Sequence, residues 1–257
     1  MDFSLYDYHL PPDRIALEPV SPRDSAKLMV YDTATDTITI DTFSHLDRYL
    51  PKDSVLVLNE TKVVPSKLTL KKQRGRDAEI LFLRNEPQTF EGLFKVISSR
   101  HLPVGQVLRF DNEHVFTIER QDERFFYLRP HFSEKHLEKL LHQYGRMPLP
   151  HYLQSTPLNE KSLRKMYQTV FAEVSGSVAA PTASLHFTSG LLKRLEKNHK
   201  LLRITHHVGL ATFTPVLPEN VEASKLFEEW YEISPGVAKE LKKRGNEEIK
   251  KPVIAVG

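Results

Sequence analysis

Between Lys67 and Arg129 the chain repeats one texture six times. Lys67 to Lys72, Ala78 to Arg84, Phe90 to Ile97, Gln106 to Phe110, Val115 to Arg120 and Phe125 to Arg129 are short apolar-rich runs. Each is bounded by Gly, Pro, Asn or charged turn residues, and none is separated from the next by a helical pattern. Short, evenly spaced strands without intervening helices point to a small barrel or sandwich. Asp111-Asn112-Glu113 and Gln121-Asp122-Glu123 read as hairpin turns. The expectation is a six-stranded antiparallel barrel over residues 61–144, with Leu68, Ile80, Leu93, Val107, Phe116 and Phe126 in its core. Ser133 to Tyr144 closes it as a helix. Ser133 is the expected cap, and Leu137, Leu140, Leu141 and Tyr144 share one face.

The flanks read differently. Lys27 to Tyr31 and Thr37 to Ile40 suggest a hairpin, and Ser44 to Leu50 a helix. Val55 to Leu58 is a continuous apolar run, the pattern of a strand covered on both faces. Beyond Gly145, helical patterns over Leu163 to Phe171, after Ser189 and over Val237 to Arg244 alternate with strand patterns at Leu201 to Val208 and from Lys251. The fold class expected is therefore an α/β main domain, residues 1–60 with 145–257, carrying an inserted all-β barrel domain, residues 61–144.

Composition excludes several chemistries. The chain has no cysteine, so disulfides, thiol nucleophiles and thiolate metal sites are out, which fits a cytoplasmic protein. No apolar run reaches the length of a membrane span, and the acidic start lacks the order of a signal peptide. The ten glycines form no dinucleotide fingerprint and no phosphate loop. No His-Glu-x-x-His motif or other compact ligand spacing suggests a metal.

The stretch Ser175, Gly176, Ser177, Ala179, Ala180, Ala183, Ser184 offers almost no side chain to a core. Such a run suits backbone that must approach a ligand or another segment closely. Thr182, His186 and Thr188 supply polar groups within or just after it, and a helix follows whose first N–H groups would point at the loop. His186 and His207 could share acid–base work, although each alone could equally be a hydrogen-bonded core histidine. Asn59-Glu60-Thr61-Lys62 follows the apolar strand, where open α/β sheets place ligands; a polar turn is the plainer reading. Lys62, Lys67, Lys71, Lys72, Arg74 and Arg76 form a basic stretch that could follow a phosphate backbone or simply protect a solvated strand edge. Arg23-Asp24 reads by default as a local ion pair.

Longer strings carry a resemblance. Tyr167-Gln168-Thr169-Val170-Phe171-Ala172, then Gly176 to Thr188, resembles the signature of the S-adenosylmethionine:tRNA ribosyltransferase-isomerases of queuosine synthesis. Arg23-Asp24, Val57 to Val63, Met147-Pro148-Leu149-Pro150, His207-Val208-Gly209 and Thr212 to Val216 agree with it in order, over nearly the whole chain. The resemblance implies transfer and isomerisation of the ribosyl part of S-adenosylmethionine onto 7-aminomethyl-7-deazaguanine in a tRNA anticodon loop. The product is epoxyqueuosine, with adenine and methionine released. It implies S-adenosylmethionine as co-substrate, no metal, no membrane, and a cytoplasmic monomer. Carried onto this chain, His186 and His207 become candidates for proton transfer. Asn59, Thr61, Thr182, Thr188, Gly209 and Thr212 would hold the cofactor, and Arg23, Asp24, Lys62, Lys67, Lys71, Lys72, Arg74, Tyr167 and Gln168 the RNA substrate.

The chain departs from the family pattern at several positions. Ser184 and Ala211 replace glycines, and Lys62 replaces an arginine, losing planar bidentate donors. A His-x-Met-His-x-Glu string becomes Ser224 to Glu229, keeping only the glutamate. The pattern continues past Gly257, as expected of a piece of a longer enzyme. The alternative these changes favour is a non-catalytic paralogue that binds RNA or an adenosyl ligand.

Overall fold

A computed structural model describes residues 5, 7–83, 92–209, 216, 220–221, 223, 225, 228–245 and 252–257. The first two strands make the expected hairpin: β1 (Lys27–Asp32) pairs antiparallel with β2 (Thr37–Thr42). Phe43–Arg48 follows as a 3-10 helix rather than an α-helix. Then β3 (Val55–Asn59) enters the main sheet with every residue but Val57 buried. This burial of successive residues explains the unbroken apolar run: both faces are largely covered, so alternation is not required.

The six expected strands close into a barrel. They are β5 (Lys67–Lys72), β6 (Ala78–Phe82), β7 (Phe94–Ser98), β8 (Val107–Arg109), β9 (Val115–Asp122) and β10 (Phe125–Pro130). The order around the barrel is β10-β7-β6-β5-β8-β9, and all the pairs are antiparallel. Closure leaves no open strand edge. Leu68, Ile80, Phe116 and Phe126 sit in its core as expected. Val107 does not. In the three-residue β8 the middle side chain, Leu108, faces inward and is fully buried, which leaves Val107 on the partly exposed side. Leu93 is buried but lies outside that cluster. The expected strand ends at Arg84 and Phe90 fall outside the described residues.

The segment Thr61–Val63, β4, is not a barrel strand. It pairs in parallel with β11 (Val174–Ser177), so the start of the small-residue run is a strand and not a loop. Helix α1 (Glu134–Tyr144) covers the barrel, burying Leu137, Leu140 and Leu141, while Tyr144 is exposed. Ser133 caps α1 only through its carbonyl, which accepts from His136 and Leu137; its side chain makes no cap bond.

Helix α2 (Glu160–Met166) is shorter than its pattern and is capped by Asn159, whose side chain accepts from Ser162 N. Helix α3 (Ser189–Leu195) leads into β12 (Lys200–His206). β13 (Tyr231–Glu232), α4 (Pro235–Gly245) and β14 (Val253–Val256) follow. The main sheet runs β13-β12-β3-β14, with β12 and β14 both parallel to β3. Phe43, Leu56, Leu58, Phe171, Phe187, Leu191 and Leu195 form its core. Among the described residues no helix is long and apolar enough to cross a membrane.

Candidate active site

The parallel strands β3 and β12 end together, and one side chain joins their ends. Asn59 accepts from Thr61 N at 3.1 Å and His206 N at 3.0 Å, and donates to His206 O at 2.7 Å. This clamp delivers the chain to β4 on one side and to His207 on the other. β11 lies beside β4 with a register shift between Ser175 and Ser177, so Gly176 is the extra residue of a bulge. Ser177, fully buried, accepts from Val208 N at 2.8 Å and contacts Ala179 O and Val208 O at 2.9 and 3.2 Å. The bulge and the His207 segment are thereby stitched side by side.

His207 lies in the notch so formed. A Cβ on Gly176 would fall 2.4 Å from its Nε2, 2.5 Å from Cε1 and 2.8 Å from Cδ2, so only glycine fits there. The φ of +158° at Gly176 points the same way. Trp230 stacks on the imidazole, with ring centres 4.8 Å apart and planes 22° from parallel. Thr61 Oγ1 meets Nδ1 at 2.7 Å. The residue as a whole is only 6% exposed. Burial, and secondarily the neighbouring His206, push its pKa below the ordinary histidine value and favour the neutral ring. Glu229 secures the next turn: it accepts from Gly209 N at 2.7 Å and pairs with His206 Nε2 at 2.8 Å.

Above this notch opens a cleft of about 870 Å³. Ser175, Gly176 and His207 line it from the notch, Val64 and Pro65 from the crossing into the barrel, and α1 from above. α1 presents Lys135, Glu138, Lys139 and His142 to it, positions that share one face of a helix. The end of α1 is bolted in place. Arg164 donates to the carbonyls of His142 and Gly145 and pairs with Glu160, which in turn accepts from Met147 N.

Of the sequence candidates, the structure gathers His207, Thr61, Asn59 and Gly209 around the notch, and places exposed Lys62 opposite Ser175 in the β4–β11 register. His186 is not with them. It is half-buried, packs 5.3 Å from the Phe43 ring and does not line the cleft. The shared pocket expected for the two histidines is therefore absent among the described residues. Thr188 caps α3, accepting from Leu191 N, and donates to Asp24 at 2.8 Å. Arg23 donates to the carbonyls of Lys165, Met166 and Gln168, capping α2. That pair thus holds separate helices and is not an ion pair with itself. Gln168 pairs its amide with Val63 N and O, like one more rung of the sheet. Tyr167 is buried against Val63, Met147 and Ala180, and burial pushes its hydroxyl up to about 12. Thr182 borders, with Tyr167, a separate apolar cavity of about 180 Å³. Lys67 pairs with Glu79 at 2.9 Å. Lys71 and Arg74 are exposed, and Lys72 donates to His101 O. Lys71 and Lys72 lie roughly 13–17 Å along β5 from Lys67 by strand geometry, and Arg74 lies in the bend beyond it. Ser184, one departure from the family pattern, is buried and donates to Gly257 O. Thr212 and the departures at Ala211, Ser224, Leu226 and Phe227 lie outside the described residues.

Sequence reasoning missed Trp230 and the α1 face, and met Glu229 only as the glutamate kept from the family string. The lone tryptophan was a signal, and so was the spacing of Lys135, Lys139 and His142. Among the described residues no cluster of three or more His, Asp or Glu could hold a metal.

Comparison with known proteins places the chain as a whole. The profile of the queuosine biosynthesis protein family matches residues 3–257. A protein of Hydrogenobaculum named S-adenosylmethionine:tRNA ribosyltransferase-isomerase is 39% identical over 264 residues, covering 100% of this chain and 74% of its own length. One of the same name from Thermotoga maritima is 36% identical over 264 residues, with the same coverage. A solved crystal structure of an S-adenosylmethionine tRNA ribosyltransferase from Thermotoga maritima is 24% identical over 97% of this chain and 68% of its own. Its TM-score of 0.39 is too low for the overlay to carry any argument.

Proposed function

This chain belongs to the queuosine biosynthesis protein family, and on that premise we propose that it is an S-adenosylmethionine-dependent tRNA ribosyltransferase-isomerase working in the cleft above His207. The substrates are S-adenosylmethionine and a tRNA carrying 7-aminomethyl-7-deazaguanine in its anticodon loop. The products are the epoxyqueuosine tRNA, adenine and methionine. The observation that carries the reading is the notch: a buried, neutral-leaning histidine laid across a glycine bulge at the floor of the cleft. The cleft volume is in the range of sites for ligands of this size.

In this reading the reacting ribose lies over Gly176, where missing side chains allow close approach. His207 handles the proton or negative charge of the reacting end. Lys135, Lys139 and His142 on α1, with Lys62 at the rim, face the RNA phosphates. Lys71, Lys72 and Arg74 extend that surface along the barrel. We further propose that residues 1–60 with 145–257 act as one domain and 61–144 as its insert, in a cytoplasmic monomer.

Mass spectrometry tests the activity. tRNA with the precursor base, incubated with the protein and S-adenosylmethionine, should gain the epoxycyclopentanediol group, with adenine and methionine formed in equal amounts. tRNA that binds but never gains mass would make the chain a binding relative instead.

A further inference from the structure

The buried hydroxyl of Thr61 fixes which nitrogen of His207 carries the proton. Thr61 is 1% exposed, so its O–H must find an acceptor inside the protein. Among the described residues its only side-chain partner is His207 Nδ1, at 2.7 Å. If Nδ1 carried the proton, Thr61 would accept and its own hydrogen would be left buried without a partner. If Nδ1 is bare, Thr61 donates and both atoms are satisfied. We infer that His207 stands in the Nε2–H form, with Thr61 as the residue that sets it.

The consequence reaches the cleft and rests on the proposed function. Nε2 is the ring nitrogen at Gly176, within the cleft lining, and it has no partner among the described residues. A protonated Nε2 cannot take a proton from a substrate carbon. It can donate a hydrogen bond to an electron-rich atom. In a reaction that expels adenine, such an atom is the purine nitrogen on which negative charge builds as the glycosidic bond breaks. His207 is then a donor that stabilises the leaving group, a role a neutral imidazole can fill. Thr61 is a positioning residue, and Trp230 and Gly176 fix the plane in which the donor points.

Two-bond proton–nitrogen NMR of the full chain, with no substrate and above pH 7, reads the form directly. The His207 signals are identified by their loss in His207→Asn. The expected pattern is a bare, downfield Nδ1 and a protonated, upfield Nε2. Thr61→Val, nearly isosteric, should shift the ring toward the other form or a mixture, and Thr61→Ser should restore the original pattern. Turnover should fall about tenfold in Thr61→Val, the worth of one hydrogen bond, and recover in Thr61→Ser. A wild-type ring protonated on Nδ1, or a pattern unmoved by Thr61→Val, overturns the inference. Because the spectrum needs neither S-adenosylmethionine nor tRNA, its result is independent of whether the proposed activity is found.

Discussion

The barrel core and the seam around His207 hold together by different means. Inside the barrel, apolar side chains such as Phe82, Phe116, Ile118 and Leu128 are fully buried within a closed antiparallel ladder, each touching several others. At the seam, beside the stacked Trp230, the contacts are polar and directional, a few side chains each fixing one or two neighbours: Asn59 for two strand ends, Ser177 for Val208, Thr61 for His207, Glu229 for Gly209 and His206. Apolar packing costs stability when it is cut but tolerates small shifts. A single polar bond contributes about 1 kcal/mol to stability, yet it decides where a ring or a strand end points. Substitutions in the barrel should therefore change how much protein is folded, and substitutions at the seam what the folded protein can do.

The largest stability effect belongs to Phe116→Ala, whose side chain is fully buried. It should cost about 3–5 kcal/mol in denaturant unfolding. Turnover per folded molecule should stay near the parent's. Loss of turnover at full folding would erase the distinction between the two regions. Gly176→Ala is the converse. Its methyl would displace the His207 ring, and turnover should drop about 100-fold, as expected for an ångström-scale misplacement. Its stability loss should be smaller than that of Phe116→Ala, about 1–3 kcal/mol of overpacking. A variant that unfolds before it loses activity would put the notch in the packing category.

A smaller effect is expected at the bolt between the regions. Arg164→Ala frees the last carbonyls of α1, which should lower stability by about 1–2 kcal/mol. KM for tRNA should rise more than kcat falls, since α1 is a cleft wall and not its floor. Equal losses in both would tie α1 to the chemistry. The pH response is smaller still. His207 has a lowered pKa in the folded chain, so as pH falls below about 6.5 the unfolded chain takes up a proton that the folded one refuses. Stability should decline with falling pH in that window, and His207→Asn should flatten the decline. An unchanged slope would mean the ring is not the group responsible. The smallest effect is distributed: reversing Lys71, Lys72 and Arg74 together should weaken tRNA binding and flatten its salt dependence without touching kcat. Unchanged affinity and slope would leave the RNA surface to α1 and Lys62.

The same division governed what could be read from sequence. The barrel strands showed because alternation and turn residues are local signals, and four of six expected core positions hold. Val107 failed because a three-residue strand gives too little pattern to choose its face. β4 was assigned to the barrel region because its partner, β11, lies more than a hundred residues away and hides in a run of small residues. The notch was half legible. Gly176 lay in a run that suggested close backbone approach and His207 read as an acid–base candidate, but nothing local joins them to Trp230 or Thr61. His186 looked equivalent to His207 because both stand beside small residues; only packing separates a ring against Phe43 from a ring over a glycine.

That separation gives the most direct test. His207→Asn and His186→Asn should be compared for tRNA product by mass spectrometry and for thermal midpoint by circular dichroism. The cleft account predicts that His207→Asn loses product by about a hundred- to a thousandfold while its midpoint stays within a few degrees of the parent. His186→Asn should keep most of its turnover per folded molecule and show the lower midpoint of a disturbed core. The reverse pattern, with His186 essential to turnover and His207 dispensable, would contradict the placement of the reaction over Gly176.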